Sequence, residues 1–279
     1  MPKAGVIAAV VALVIAIVYV EIRLGEQPTT APSTPPDNSA IEARLDRIED
    51  MLTRLSPAAL PDLPDDLPAE PAPTIDDSEA PTEAAPLAAL EKIEKAKEFI
   101  ARIEAGEVGG QEMNQLWNLL AGSRLHDEAL RALVKNAKAH PNDADAQYGV
   151  GLGLISKLVG GQVTYVEQGQ LSLMADEAFT RALEIDDHHF DARFSKAVSY
   201  THWPEAFGKG PAAIAEFEIL RQQSAQDSSI PMLDQVYTNL GIQYRKAGNT
   251  AKSREALEEG LRIFPDSKGI QEQLKALGD

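Results

Sequence analysis

DQVYTNLGIQYRKAGNTAKSREALEEGLRIFPDS, residues 234–267, is the stretch that decides the fold. Tyr237, Leu240, Gly241 and Tyr244 recur at three- and four-residue intervals, and so, further on, do Ser253, Leu257 and Gly260. That spacing puts each set on one face of a helix. Gly248-Asn249 breaks the pattern between the two runs. Pro265 ends the second run, because proline lacks the amide a helix needs and crowds the preceding turn. The two faces are complementary: small residues at 241, 253 and 260 let two antiparallel helices approach, and large ones at 237, 240, 244 and 257 fill the seam. A helical hairpin is predicted.

Tyr237-x2-Leu240-Gly241-x2-Tyr244, followed by Ser253-x3-Leu257-x2-Gly260 and Pro265, closely resembles a tetratricopeptide repeat across its 34 residues. Upstream, Ala175-x3-Phe179-x2-Ala182-Leu183-Glu184-Ile185-Asp186 resembles the second helix of the same repeat, with Asp187 where the family has proline. Its first helix is expected over 144–157, and the stretch around 160–165 makes this copy about twelve residues too long. A third copy joins 190–200 to 211–223, with Ala213-x3-Phe217, through the loop THWPEAFGKG at 201–210. A more degenerate copy joins 112–121 to 126–139, carrying Ala129-x3-Leu133 and Pro141. A helix over 87–105 precedes the copies, and one over 267–277 follows as a cap.

The resemblance covers residues 110–277 and implies an all-α solenoid over 87–279 that binds a protein or peptide partner without catalysis. In that family the first helices of the repeats line a concave groove. The equivalent positions here are Tyr148, Leu152, Phe194, Val198, Thr238, Ile242 and Arg245. Tyr148 and Arg245 suit a binding hot spot best, whereas Leu152 and Val198 suit core packing equally well. The paired Lys and Asn positions with which the family's chaperone-tail binders clamp a terminal carboxylate are missing. Trp203 and Phe207, in the 201–210 loop, either contact a partner or fold back as a plug between helices.

Residues 4–20, AGVIAAVVALVIAIVYV, carry no charge and are long enough to cross a hydrocarbon core, with Ile22 and Leu24 extending the run. A single anchor within 1–25 is the reading; a cleaved signal wants a shorter apolar region and a small-x-small site after it. Lys3 before the run, and Glu21 and Glu26 flanking Arg23 behind it, favour a cytoplasmic N-terminus and an extracytoplasmic, periplasm-facing bulk. Residues 26–38 are expected to be a tether. Ser39-Ala40-Ile41-Glu42 forms a capping box, and Ile41, Leu45, Ile48, Leu52 and Leu55 mark a short heptad seam in a helix over 39–56. A homo-oligomer through this helix is one reading and a lone amphipathic helix the other. Residues 57–86 hold 8 prolines and 8 acids in 30 residues, the composition of an extended spacer.

A net charge of −17 repels phosphate backbones and anionic headgroups, which argues against nucleic acid as a partner. With no cysteine there is no thiol chemistry and no disulfide. Gly149-x-Gly151-x-Gly153 lies inside a helical pattern, where close packing explains it better than a dinucleotide fingerprint. Asp186-Asp187-His188-His189 sits at an inter-repeat turn and lacks the further ligands a metal site needs. No G-x-S-x-G nucleophile turn occurs. Neither a catalytic site nor a cofactor is expected. The function that follows is a membrane-anchored scaffold in the cell envelope. The alternatives are an assembly or chaperone factor, similar to the repeat subunits of cytochrome c maturation or of translocons, and a structural subunit of a large membrane complex.

Overall fold

The computed structural model describes residues 38–54, 84–120, 123–160, 163–225, 227 and 229–278. Their regular elements are helical throughout: α1 (Asn38–Arg54), α2 (Ala84–Glu104), α3 (Gly110–Met113), α4 (Gln115–Leu120), α5 (His126–Ala139), α6 (Ala144–Gly160), α7 (Tyr165–Ile185), α8 (Phe190–Thr201), a 3-10 turn (Glu205–Phe207), α9 (Gly210–Gln223), α10 (Leu233–Lys246), α11 (Thr250–Ile263) and α12 (Lys268–Leu277). From α6 onward each helix packs on the one before it, which builds a stack of helical hairpins.

The hairpin α10–α11 shows how the sequence builds this stack. A Cβ on Gly241 would meet Leu257, one on Gly260 would lie 2.5 Å from Tyr237 Cβ, and the Ser253 hydroxyl donates to the Gly241 carbonyl at 2.6 Å. Positions 237 and 241 therefore face 260 and 253–257, so the helices run antiparallel and almost touch. Gly248 turns the chain at φ +76°, and the Asn249 side chain caps α11 by accepting from the Lys252 amide at 3.1 Å. The glycine triplet of α6 works the same way on two sides. Gly149 and Gly153 face Leu133 of α5, while Gly151, half a turn away, faces Phe179 of α7.

Two elements differ from the sequence expectation. The surplus of the long repeat is helix rather than loop: α6 runs on to Gly160, and α7 begins ten residues before Ala175. A capping box at Thr164 and Glu167 starts α7 there. The expected helix over 112–121 is instead broken into α3 and α4 at Asn114, whose side chain accepts the Tyr148 hydroxyl at 2.7 Å.

Two apolar cores meet inside α8. Ala192 belongs to the first, which runs back through α7, α6 and α5, and Phe194 belongs to the second, which runs on to Ile270 of α12. Polar contacts stitch the junction. Asp176 of α7 accepts from Tyr200 at 2.6 Å and from Lys209 at 3.3 Å, and Arg193 donates to the Asp187 carbonyl at 2.7 Å and to Glu216 at 2.6 Å.

Helix α1 packs against α5 and takes part in the first core: Leu45 and Ile48 are 3% and 4% exposed. These two seam residues are thus used within the chain, an arrangement that neither reading of the 39–56 helix foresaw. The apolar run 4–20, the tether up to residue 37 and the spacer up to residue 83 lie outside the described residues. Among the described residues no helix is long and apolar enough to cross a membrane.

Candidate partner-binding face

The first helices of the hairpins are α6, α8 and α10, and the face they share is built partly from a polar network. Tyr148 of α6 is 1% exposed, and its ring lies 5.2 Å from that of His189 and 6.1 Å from that of Phe179. His189 caps α8: its Nδ1 accepts from the Ala192 amide at 3.2 Å, which leaves the proton on Nε2, 3.0 Å from Asp145 Oδ1. Burial, the largest single influence, works against charging His189, yet its bond to Asp145 and the charges of Asp145, Asp191 and Asp186 together outweigh it and lift its pKa above the ordinary imidazole value. Burial also raises the Tyr148 phenol and, against the pull of Asn114 and His189, the Asp191 carboxyl. These groups tie the loop before α4 and the start of α8 to α6.

The residues singled out from the sequence therefore part company. Tyr148 and Phe194 are buried; Phe194 meets Phe217 edge-on at 6.1 Å and stacks on Phe190 at 6.0 Å. Trp203 and Phe207 are half-buried and pack edge-to-face at 5.6 Å. The Lys209 ammonium sits 4.3 Å from the Tyr200 ring centre and 4.9 Å from that of Trp203 while also pairing with Asp176. The 201–210 loop is thus folded back on α7 and α8 through Lys209. Thr238 is half-buried and covered by α12, where a Cβ on Gly269 would lie 3.2 Å from its hydroxyl oxygen. Half-buried Ile242 and exposed Arg245, nearly one turn apart on α10, are what remains open. Of the two positions weighed beside them, Leu152 is buried and Val198 half-buried.

The structure also exposes apolar residues that the sequence reading did not pick out. Val159, Tyr165 and Val166 are each more than half exposed at the tip of the α6–α7 hairpin. The signal was present as an apolar cluster beside Gly160-Gly161, but without knowing that both helices extend to this point it read as loop. Asp186, Asp187 and His188 are exposed neighbours at the α7–α8 turn, while His189 turns inward to Asp145.

His126 and Ser156 form a different kind of pair, sealed in the core. The His126 Nδ1 lies 3.1 Å from Ser156 Oγ, its Nε2 has no hydrogen-bond partner among the described residues, and Gly160 leaves room for the ring. Burial is the main cause that holds its pKa below the ordinary value; Asp127 opposes this and Lys157 adds to it. Its position as the first residue of α5 also disfavours a cation. Since the unfolded chain takes up a proton near pH 6.5 and the folded one resists, the contribution is complete above that pH and is lost as pH falls toward the lower folded value. Thermal unfolding at about pH 7.5 and about pH 5.5 should therefore show wild type losing more stability on acidification than His126→Leu. Parallel losses would refute the assignment.

No family model and no curated protein matches the chain. Solved structures are similar to it at low identity. The chain aligns over 69% of its length with 88% of YrrB, described as a TPR protein with an unusual peptide-binding site, at 20% identity and a TM-score of 0.44. It aligns over 69% of its length with 94% of TTC0263, a thermophilic TPR protein of Thermus thermophilus, at 12% identity and a TM-score of 0.48. With MamA it aligns over 66% of its length and 92% of that chain, at 16% identity and a TM-score of 0.43.

Proposed function

We propose that this protein is a membrane-anchored scaffold of the cell envelope that holds a protein or peptide partner without catalysing a reaction. The observation that carries the reading is the helical-hairpin stack itself. Among the described residues its conspicuous titratable groups are spent on joining helices: His189 with Asp145, Asp176 with Tyr200 and Lys209, and the sealed His126–Ser156 pair. Arg245 and Ile242 on α10 supply the cation and apolar contact typical of an interface hot spot. The uncharged run 4–20 supports the anchor, and the charges around it support an N-terminus in the cytoplasm with the solenoid outside. Self-association through residues 39–56 would add avidity to a modest single-site affinity. The structural-subunit reading draws on one separate observation, the exposed apolar tip at Val159, Tyr165 and Val166.

Two measurements test the proposal. A photo-crosslinking residue at Ile242 should trap a discrete partner in cells, whereas one at exposed Glu258 on α11 should not. Equal trapping at both, or none, defeats the α10 face. For topology, Ser78→Cys introduces a single thiol into a chain that has none. It should react with an impermeant reagent in cells whose inner membrane is intact; reaction only after lysis would place the solenoid in the cytoplasm.

A further inference from the structure

Helix α1 lies on the solenoid in the manner of a bound ligand. Its apolar side chains Leu45 and Ile48, one turn apart, are buried against the first core. On the same side, Asp46 and Glu49 each lie 2.7 Å from the Lys138 ammonium of α5. Partial burial of that ammonium opposes its charge, but the two carboxylates prevail and raise its pKa above the ordinary lysine value. Beneath the helix a cavity of about 20 Å³, room for one water, remains between Arg44, Leu45 and Ile48 and the residues Gln147, Val150, Met174 and Ala178 of α6 and α7. This is an amphipathic helix laid into a groove. Between Arg54 and Ala84, where α1 ends and α2 begins, lie 29 residues. None of the contacts in the groove requires that the occupying helix belong to the same chain.

We propose that this groove over α5, α6 and α7 is the protein's self-association site, and that α1 of a second copy can take the place of the chain's own α1 in it. Two copies exchanging α1 reciprocally form a closed two-fold dimer, with each groove filled as in the single chain. The proposal rests on the reading that residues 39–56 mediate self-association, and it changes the mechanism. A helix whose Leu45 and Ile48 lie in the groove cannot also offer them to a coiled-coil seam, so association runs through the groove. Confinement of copies to one membrane would favour exchange by raising their local concentration.

A charge-swapped pair of full-length chains in mild detergent tests it. Lys138→Glu alone sets a carboxylate against Asp46 and Glu49, and Asp46→Lys with Glu49→Lys alone sets two ammonium groups against Lys138. Mixed, each chain carries the helix that suits the other's groove. The mixture should form a mixed dimer at roughly tenfold lower concentration than either variant self-associates. A second measurement uses wild type alone: isotopically heavy and light copies are mixed and joined by carbodiimide. Amide crosslinks from Lys138 to Asp46 or Glu49 between heavy and light chains are expected. Dimers with such crosslinks only within one chain would overturn the exchange and leave self-association standing. Monomers with crosslinks only within one chain would overturn both.

Discussion

Gly260→Ala is expected to destabilise the protein by about 2–3 kcal/mol, although alanine is the better helix former by about 1 kcal/mol. The cause is a collision with no easy escape. The added methyl would lie 2.5 Å from Tyr237 Cβ, 2.7 Å from its Cγ and 2.9 Å from Ile270 Cδ1. Tyr237 cannot swing aside, because its Cβ is carried on the backbone of α10 and its hydroxyl is held by Glu259 at 3.2 Å. The hairpin must therefore open, loosening α12 as well. Gly210→Ala is the control, since it opens α9 with nothing within 4 Å of the new methyl. Urea unfolding of both variants checks the argument; a midpoint for Gly260→Ala at or above that of Gly210→Ala would refute it.

Phe179→Ala should cost more, about 3–5 kcal/mol, because the ring is wholly buried at the centre of the first core. The ring is also what the glycine at 151 makes way for: a Cβ there would lie 2.6 Å from Phe179 Cδ1. Gly151→Ala alone should cost about 1–3 kcal/mol by overpacking. Combined, the two changes should cost less than their sum by about 1 kcal/mol or more, since the new methyl enters the space the ring vacates. Strict additivity in a double-mutant cycle would show that α6 and α7 do not meet in this way.

The fold was legible wherever close packing leaves a small residue in a fixed rhythm. Gly241, Ser253 and Gly260 announced the hairpin that contains them, and the glycine triplet of α6 announced close packing, though not that it faces two neighbours. The length of the α6–α7 hairpin was not legible, because the Thr164–Glu167 capping box lay inside what the 34-residue period marked as surplus. The candidate face was less readable than the fold. Periodicity shows which side of a helix a residue occupies, but what covers that side is decided by elements distant in sequence. Tyr148 spends its hydroxyl on Asn114, and Thr238 lies under α12. Trp203 is partly buried in a loop whose anchor is Asp176. The heptad of α1 was readable as an apolar seam, yet nothing local to it identifies Lys138, 92 residues beyond Asp46, as its counter-charge.

Because the two apolar cores meet within α8, the solenoid is expected to open as two cooperative units rather than one. In stacked helical folds each element draws its stability from its neighbours, so opening can stop where apolar contact is thinnest and polar contact takes over. Amide hydrogen exchange should then resolve two protection classes, one through α5–α7 and one through α9–α11. Asp176→Asn, which weakens the junction and leaves both cores intact, should widen the gap between the two classes instead of lowering both together.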